Sequence, residues 1–352
     1  MKSKLHILVT GSAGFIGHHL MLALQQSGHS TVGLDSLNSY YDPALKYRRL
    51  ELQGFCQESI KPNQLLTSTS AFNSSFVQLD LVNAEALQHL FASQRFDVVI
   101  NLAAQAGVRH SLEHPEQYVS SNLVGFANLL ECVRRHTIQH FLFASSSSVY
   151  GLNKEIPFQT DQQTDAPVSF YAATKKANEA MAHSYAHLYG IPTTGLRFFT
   201  VYGPWGRPDM AYYSFAKAIA AGTPIQLFNH GDMLRDFTYV SDVVESILRL
   251  LKSAPQIATS SAPYKLYNIG NNKPVQLLEM VNTLERLLDQ RAILDLKPMQ
   301  PGDVKVTFAN VDELIKATGY SPNTSLQQGL AAFVTWFKAY HQLEEQILQI
   351  AS

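Results

Sequence analysis

A tyrosine and a lysine lie four positions apart in the segment Tyr171-Ala-Ala-Thr-Lys175. The Ala, Lys, Glu and Met content of residues 170–189 predicts a helix, on which residues four apart share one face. A phenol with a pKa near ~10 is a poor base at neutral pH, but a fixed cation nearby favours its phenolate. The pair therefore predicts a proton-accepting Tyr171 whose pKa is lowered by Lys175. The same spacing also fits an ordinary amphipathic helix with a solvated lysine, and a redox cofactor site elsewhere in the chain would favour the chemical interpretation.

Three glycines follow the first predicted strand, His6-Ile-Leu-Val-Thr10. The order strand, glycine turn, helix allows close backbone approach to a pyrophosphate and points a helix N-terminus at its charge. The spacing is G-x-x-G-x-x-G rather than the commoner G-x-G-x-x-G. We predict that this turn binds a dinucleotide through Gly11, Gly14, Phe15, Ile16 and Gly17.

Asp35 ends the next predicted strand, about eighteen residues beyond Gly17. A carboxylate roughly 20 residues after the glycine turn commonly accepts the adenosine ribose hydroxyls. The following residues, Ser36-Leu-Asn38, include no arginine or lysine that could bind a 2'-phosphate. The sequence therefore favours NAD over NADP.

Composition limits the classes of function. Of the 352 residues, 46% are hydrophobic and 16% are charged, against an average near ~25% charged, so we expect a large buried core. A net charge of -1 argues against nucleic acid or an anionic membrane surface as partner. Cys56 and Cys132 show no paired spacing and the histidines no ligand pattern, so we expect no metal. Because no apolar run is long enough for a signal segment or a bilayer span, we predict a cytoplasmic protein.

Strands and helices alternate regularly between residues 76 and 144, and one of the predicted helices covers residues 115–135. The strands Val98–Ile100 and Phe141–Phe143 are continuously apolar, as expected when helices cover both faces of a sheet. This pattern predicts an α/β fold with a Rossmann-type doubly wound parallel sheet. The Ser/Thr/Asn-rich segment 67–75 is expected to be an exposed loop.

Several polar or small residues follow the predicted strands, at the carboxyl edge where ligands bind in such sheets. Asp80, beside Leu81, is a candidate partner for the adenine amine, although an ordinary loop acid fits equally well. The small residues around Ala103 would let a cofactor lie against the backbone, and Arg109 is either a surface residue or a substrate contact. The run Ser145–Ser148 offers a hydroxyl to a reacting oxygen.

The chain becomes turn-rich after residue 199 and carries no second glycine fingerprint. We predict two interleaved domains. Residues 1–199 with part of 236–270 form the NAD-binding Rossmann domain, and residues 200–352 form a smaller α/β substrate domain.

Taken together, these motifs resemble the extended short-chain dehydrogenase/reductase family, and within it the UDP-glucuronate 4-epimerases. The resemblance extends over nearly the whole chain. It rests on the segments GSAGFIG, NLAAQAGVRHS, SSSSVYG, YAATKKANE, GLRFFTVYGPWGRPDMA, RDFTYVSDVV and QPGDV.

The resemblance implies roles for the motif residues. Tyr171 and Lys175 match the family's catalytic pair, and Ser146 matches the assisting hydroxyl three residues before Val-Tyr-Gly. Ser147 and Ser148 stand where the related 4,6-dehydratases have Asp-Glu and the UDP-glucuronate decarboxylases have Glu. Dehydration needs an acid/base pair that two serines cannot supply, whereas epimerisation needs none.

The resemblance further implies an isomerase that converts UDP-glucuronate to UDP-galacturonate through a transient 4-keto sugar, with tightly bound NAD and no net redox. Thr200 and Arg207 would lie near the sugar carboxylate, and Arg235 and Asp303 near the nucleotide. The family's known pairing of helices between subunits implies a homodimer, and its chemistry implies a part in polysaccharide biosynthesis.

Three alternatives stay open on sequence alone. UDP-glucose or UDP-N-acetylhexosamine 4-epimerases share the catalytic motifs, and a non-catalytic NAD-binding regulator shares the fold. Arg207 could also be a surface residue after a Pro-Trp-Gly turn. Asp232 and Leu234 replace residues that are usually more basic in the family, which alters the charge expected near the diphosphate.

Overall fold

The computed structural model describes residues 4–256, 261–300 and 302–351, so Pro301 of the QPGDV segment lies outside it. In chain order the strands are β1 His6–Thr10, β2 Ser30–Asp35, β3 Leu65–Thr67, β4 Ser74–Gln78, β5 Val98–Asn101, β6 His140–Ser146, β7 Thr193–Phe198, β8 Thr200–Tyr202, β9 Pro224–Leu227, β10 Leu234–Tyr239, β11 Tyr264–Ile269, β12 Pro274–Gln276 and β13 Ile293–Leu296. The α-helices are α1 Phe15–Gln26, α2 Ala44–Leu52, α3 Ala84–Ser93, α4 His110–Glu113, α5 Pro115–Tyr118, α6 Gly125–Arg135, α7 Phe170–Tyr189, α8 Ala211–Ala220, α9 Val240–Leu250, α10 Leu277–Leu288, α11 Asp312–Thr318 and α12 Leu326–Ala351.

The central sheet has the strand order β11-β7-β6-β5-β1-β2-β4-β3 within the described residues. Neighbouring strands are parallel apart from the edge pair β3 and β4, which is antiparallel. The predicted Rossmann-type doubly wound α/β fold is therefore confirmed. Because parallel strands run in one direction, their carboxyl ends meet at one edge, where the cavity described below lies.

Strand β1 shows why the sheet is buried on both faces. Its alternate side chains enter different cores: Ile7 and Val9 pack with α1 and α9, whereas Leu8 packs on the opposite face with α3 and α6. All three side chains are fully buried. Each such side chain contributes about 1.5–3 kcal/mol of apolar burial, so both helical layers stabilise the central strands.

A second, smaller group of elements follows β7. Strands β8, β10 and β12 form one sheet, and β9 pairs with β13. Helices α8, α10 and α12 pack around a third core that includes Tyr212, Leu284 and Phe333. The proposed division into two domains stays a prediction, although β11 returns from this region to extend the central sheet beside β7.

Two sequence predictions need correction. The segment 67–75 is not simply an exposed loop, because Ser68 and Ser74 are buried, where Ser68 Oγ donates to the Gln53 carbonyl at 2.8 Å. Paired hydroxyls can be buried at little cost, which the polar composition alone did not reveal. The helix predicted over residues 115–135 is interrupted by a π-helical segment, Val119–Val124. There the buried Asn122 side chain pairs with both backbone groups of Gln105.

In the part of the chain that the structure describes, no helix combines the length and apolar character needed to cross a membrane.

Three buried histidines predict acid sensitivity. Burial lowers the pKa of His18 to about 2 and the pKa values of His19 and His140 to about 4. Below pH ~6.5 these histidines bind protons in the unfolded chain but stay unprotonated in the folded chain. The free energy of unfolding should therefore fall by about 1.4 kcal/mol per pH unit for each histidine as the pH decreases. Urea unfolding between pH 7.5 and 5 should show this loss.

The slope should become shallower by about 1.4 kcal/mol per pH unit in His140→Gln. The control is His89→Gln, which removes a histidine whose side chain is 79% exposed. Equal slopes in wild type and His140→Gln would contradict the assignment.

Candidate active site

A cavity of about 1230 Å³ lies at the carboxyl edge of the central sheet, facing the smaller sheet. Every residue predicted from the sequence to form the site lines it. These residues are Gly11, Gly14, Phe15, Ile16, Gly17, Asp35, Asp80, Leu81, Ala103, Arg109, Ser146, Ser147, Ser148, Tyr171, Lys175, Thr200, Arg207, Arg235 and Asp303.

The glycine turn fits an anionic diphosphate. A Cβ on Gly17 would lie 2.1 Å from the Gly11 carbonyl oxygen, and one on Gly11, whose φ is +71°, would lie 2.7 Å from the Ala103 nitrogen. Helix α1 begins directly after this turn, with neither a side-chain cap nor an acid in its first turn. Its first N–H groups and its positive dipole end are therefore available to an anion in the cavity.

Asp35 lies beside this turn at the end of β2. Its Oδ2 accepts the Ala13 N–H at 3.2 Å and its Oδ1 accepts the Leu37 N–H at 2.9 Å. Lys46 of α2, which the sequence analysis did not consider, also lines this end, and its Nζ donates to the Asn38 carbonyl at 2.8 Å. The turn, the carboxylate and the open helix end form a cradle suited to a dinucleotide.

Asp80 lies at the rim of the same end. Its Oδ1 accepts the Val82 N–H at 3.0 Å, as a turn residue would. The predicted contact with an adenine amine stays a prediction.

Tyr171 and Lys175 lie together on the first turns of α7. Lys175 Nζ donates to the Ala144 carbonyl at 2.9 Å and lies 5.9 Å from the centre of the Tyr171 ring. Burial lowers the pKa of Lys175 to about 8. Burial also raises the pKa of Tyr171, while the Ser146 hydrogen bond and the charge of Arg207 oppose that rise. The predicted net lowering of the Tyr171 pKa is therefore wrong, because burial outweighs the nearby charges and hydrogen bond.

The four serines divide into different roles. Ser145 is buried and its Oγ donates to Glu179 Oε1 at 2.6 Å, which makes it structural. Ser146 instead lies next to the Tyr171 phenol, where it opposes the rise in the tyrosine pKa, and its Oγ donates to Ser148 Oγ at 3.2 Å. Ser147 and Ser148 line the cavity without any carboxylate at their positions.

A buried ion pair supports this arrangement from behind. Arg197 of β7 donates from Nε and Nη2 to the two oxygens of Glu179 at 2.8 and 2.9 Å. Glu179 follows Lys175 by one helical turn, so the pair fixes α7 against β7 and, through Ser145, against the end of β6. Sequence reasoning missed it, although a glutamate one turn beyond Lys175 on the buried face of α7 was the available signal.

Arg207 lies in the cavity wall, but its guanidinium group already donates hydrogen bonds to a carboxylate. Its Nε and Nη2 donate to the two carboxylate oxygens of Asp209 at 3.0 and 2.5 Å, and the Tyr40 hydroxyl donates to Asp209 Oδ2 at 3.1 Å. Burial would lower the pKa of Arg207, but Asp209 reverses this and raises it. The sequence analysis missed Asp209 and Tyr40. A group that approaches Arg207 must use its remaining N–H donors or compete with Asp209.

Arg109, Arg235 and Asp303 gather at the far end of the cavity. Arg109 Nη2 lies 3.3 Å from Asp303 Oδ2, and its guanidinium stacks 4.3 Å from the centre of the Phe228 ring. Arg235 donates to the Leu234 and Lys305 carbonyls, and burial lowers its pKa despite the nearby Asp303 charge. Arg109 and Arg235 carry two positive charges and Asp303 carries one negative charge, so the net charge of this group is positive. Such a group is suited to bind a phosphate.

No group of three or more histidine, cysteine or carboxylate side chains in the described ranges is arranged to bind a metal ion.

Comparisons with known proteins agree on a family. The model of the "NAD dependent epimerase/dehydratase family" matches residues 7–270. "Protein CapI" of Staphylococcus aureus is 49% identical over 96% of this chain and 99% of its own length. The "Probable UDP-glucuronate 4-epimerase" of Rhizobium meliloti is 45% identical over 94% of this chain and 96% of its own. A crystal structure of UDP-glucuronic acid 4-epimerase from Bacillus cereus, in complex with UDP-glucuronic acid and NAD, superposes with a TM-score of 0.84 at 31% identity, covering 96% of this chain and all of that one.

The glycine turn gives a direct test of the cradle. Gly17→Ala should weaken dinucleotide binding at least about tenfold, because the new Cβ displaces the Gly11 carbonyl and hence the helix N-terminus. Calorimetric titration of the stripped protein with NAD measures the effect.

Gly319→Ala is the matched control, because a Cβ there meets nothing within 4 Å and its φ of +65° costs stability alone. Unchanged affinity in Gly17→Ala would show that the turn does not bind the dinucleotide.

Proposed function

Because the chain belongs to the NAD dependent epimerase/dehydratase family, we propose that it is an isomerase that converts UDP-glucuronate to UDP-galacturonate by NAD-dependent 4-epimerisation. The observation that carries the proposal is the meeting of Tyr171, Ser146, Lys175 and Arg207 in the cavity that also contains the dinucleotide cradle. A 4-keto sugar forms transiently and the reaction has no net redox change.

The cofactor is NAD. The glycine turn and the N-terminus of α1 would bind its diphosphate, and Asp35 its adenosine ribose. When bound, NAD would supply the hydride acceptor for the sugar C4 and, once reduced, the hydride donor for the opposite face of the 4-keto sugar. Lys175, whose ammonium lies beside Tyr171, would also contact the nicotinamide ribose.

Tyr171 accepts the proton of the sugar O4 hydroxyl and later returns it. Two neighbours stabilise the phenolate against the opposing effect of burial: the Ser146 hydroxyl can turn from Ser148 Oγ to donate a hydrogen bond to it, and Arg207 supplies positive charge. Because its pKa is raised, the Tyr171 phenolate is a strong base toward the O4 hydroxyl, and the phenol so formed holds the proton that the 4-keto oxygen takes back. The same residue therefore serves as base in one half-reaction and acid in the other.

The serines at positions 147 and 148 favour epimerisation over the related eliminations. Moving a C5 proton and expelling the 6-hydroxyl requires a carboxyl acid/base pair, and the hydroxyls at these positions cannot provide one at neutral pH. The 4-keto sugar is therefore left to turn over and be reduced.

Arg207 and Thr200 are the proposed partners of the C6 carboxylate. Oxidation at C4 makes that carboxylate part of a β-keto acid, which loses CO2 when its C5–C6 bond aligns with the carbonyl π system. A guanidinium that fixes the carboxylate prevents the alignment. Asp209 already neutralises part of the Arg207 charge, and this contact is the reason to retain a neutral sugar, as in UDP-glucose 4-epimerases, as the second candidate.

A homodimer and a part in polysaccharide biosynthesis, both implied by the family resemblance, complete the proposal together with the cytoplasmic location expected from the sequence. Arg109, Arg235 and Asp303 are the proposed contacts of the nucleotide end.

The substrate assignment is tested by turnover of UDP-glucuronate, UDP-glucose and UDP-N-acetylglucosamine, with products identified by NMR. We expect the highest kcat/KM with UDP-glucuronate, and UDP-galacturonate with little UDP-pentose as product. A preference for UDP-glucose would select the second candidate, and no turnover of any sugar would favour a regulator.

The proton-transfer assignment is tested by Tyr171→Phe. This change removes the phenolic proton but keeps the ring packing, so kcat should fall at least about 100-fold while the melting temperature is retained. Ser146→Ala should cost less, because the Ser148 hydroxyl lies 3.2 Å away and can substitute in part. Near-normal turnover by Tyr171→Phe would exclude it as the acid/base.

The acid-sugar contact is tested by the double variant Arg207→Gln/Asp209→Asn, which removes both charges and leaves no unpaired carboxylate. Losing a charged hydrogen bond costs on the order of 2–5 kcal/mol, so KM for UDP-glucuronate should rise steeply while KM for UDP-glucose changes little. Residual product should contain more UDP-pentose.

Asp209→Asn alone is the control, because it keeps the guanidinium and should not raise KM for UDP-glucuronate. Equal losses on acidic and neutral sugars in the double variant would remove Arg207 from this role.

A further inference from the structure

Arg49 of α2 is a fully buried cation that makes five hydrogen bonds. Its Nε and Nη2 donate to the Trp205 carbonyl at 3.1 and 2.6 Å, and Nη2 also donates to the Gly206 carbonyl at 3.1 Å. Its Nη1 donates to the Ala13 carbonyl at 2.9 Å and to the Tyr41 hydroxyl at 2.6 Å. All three guanidinium nitrogens of Arg49 therefore donate hydrogen bonds, and the acceptors are four neighbouring oxygen atoms.

All of these acceptors are neutral, and no carboxylate among the described residues forms an ion pair with Arg49. Burying a cation without a counter-charge is expensive even when its hydrogen bonds are satisfied, and an apolar side chain of similar size would usually pack at lower cost. The neighbouring His18 and His19 cannot supply a counter-charge, because an imidazole is either neutral or cationic, and burial and the Arg49 charge lower the pKa values of both. The presence of a buried arginine without a counter-charge at this position therefore indicates a role other than packing.

The acceptors belong to two separate turns. Ala13 lies in the glycine turn of the cradle, between Gly11 and Gly14, whereas Trp205 and Gly206 form the turn directly before Arg207. In sequence the two turns are far apart, and Arg49 contacts both.

The second turn needs such support. Trp205 has φ +59°, a left-handed conformation that is strained for a residue other than glycine. Its carbonyl accepts two of the Arg49 bonds. On the other side, the His19 ring pairs with the Pro204 carbonyl at 2.9 Å. Without the guanidinium, the strained peptide loses the donors that oppose its relaxation.

We propose that Arg49 is a positioning residue that fixes the cofactor turn and the Pro204–Gly206 turn relative to each other. One guanidinium thereby sets both the diphosphate cradle and the direction from which Arg207 enters the cavity. The planar fork is essential to this role, because a lysine ammonium cannot reach both turns with the same geometry. The sugar-binding half of the inference rests on the proposed function, whereas the cofactor half does not.

The test compares Arg49→Met with Arg48→Met. Arg48 is the adjacent residue on α2, it is partly exposed, and it pairs with Glu51 at 2.8 Å outside the cavity. In Arg49→Met we expect the Kd for NAD, measured by calorimetry on the stripped protein, to rise at least about tenfold, and KM for UDP-glucuronate to rise in parallel. Arg48→Met should leave both constants within about twofold.

Arg49→Lys distinguishes charge from geometry. It keeps the cation but not the fork, so both constants should stay close to those of Arg49→Met. A variant with a lower melting temperature but wild-type Kd and KM would assign Arg49 a purely structural role and overturn the proposal. A change in one constant alone would also overturn it, because the two turns would then not be joined.

If the Arg49 variants do not fold, hydrogen exchange on the stripped wild type decides. Adding NAD alone should slow amide exchange in residues 204–209 as well as in residues 11–17, and unchanged exchange in 204–209 would overturn the proposal. A failure of the substrate assignment is recognised separately, since the calorimetric and exchange measurements contain no sugar.

Discussion

The geometry of the site depends on the buried ion pair between Glu179 and Arg197. Both side chains are almost inaccessible to water, and their two hydrogen bonds of 2.8 and 2.9 Å connect α7 to β7. Ser145 adds the end of β6 to the same carboxylate. Ser146 directly follows Ser145, and Lys175 and Tyr171 lie one and two helical turns before Glu179. These three residues are the ones assigned to proton transfer. Removing one partner of such a pair costs about 3–5 kcal/mol, so the sheet edge and the helix are fixed together.

Burial is the second constraint, and it acts on the tyrosine and the lysine assigned to proton transfer. It raises the pKa of Tyr171 and lowers that of Lys175, so each group resists its charged form. Arg207 offsets this for the tyrosine, while Asp209 limits how much of the Arg207 charge is available. The protonation of Tyr171 and Lys175 therefore depends on a small number of nearby charges. At low dielectric each of these charges has a large effect on the pKa values of its neighbours.

Local motifs could be predicted from the sequence, and contacts between distant segments could not. The glycine turn and the helix over residues 170–189 follow from short patterns with a physical reason for each residue type. The cavity-lining residues Thr200, Arg207, Arg235 and Asp303 were instead assigned through the family resemblance. Asp209 as the partner of Arg207, and Arg49 as the link between two turns, depend on the tertiary fold. The net direction of the Tyr171 pKa was mispredicted for the same reason, because burial is a property of the whole fold.

The central claim is that hydride leaves and returns to C4 within one active site while Tyr171 exchanges a proton with O4 alone. The most direct measurement uses UDP-glucuronate labelled with deuterium at C4, converted in ordinary water and analysed by NMR and mass spectrometry. The account predicts that the UDP-galacturonate formed retains the deuterium at C4, and that unlabelled substrate converted in D2O gains none there. Loss of the C4 label to solvent, or solvent deuterium at C4 or C5 of the product, would contradict it.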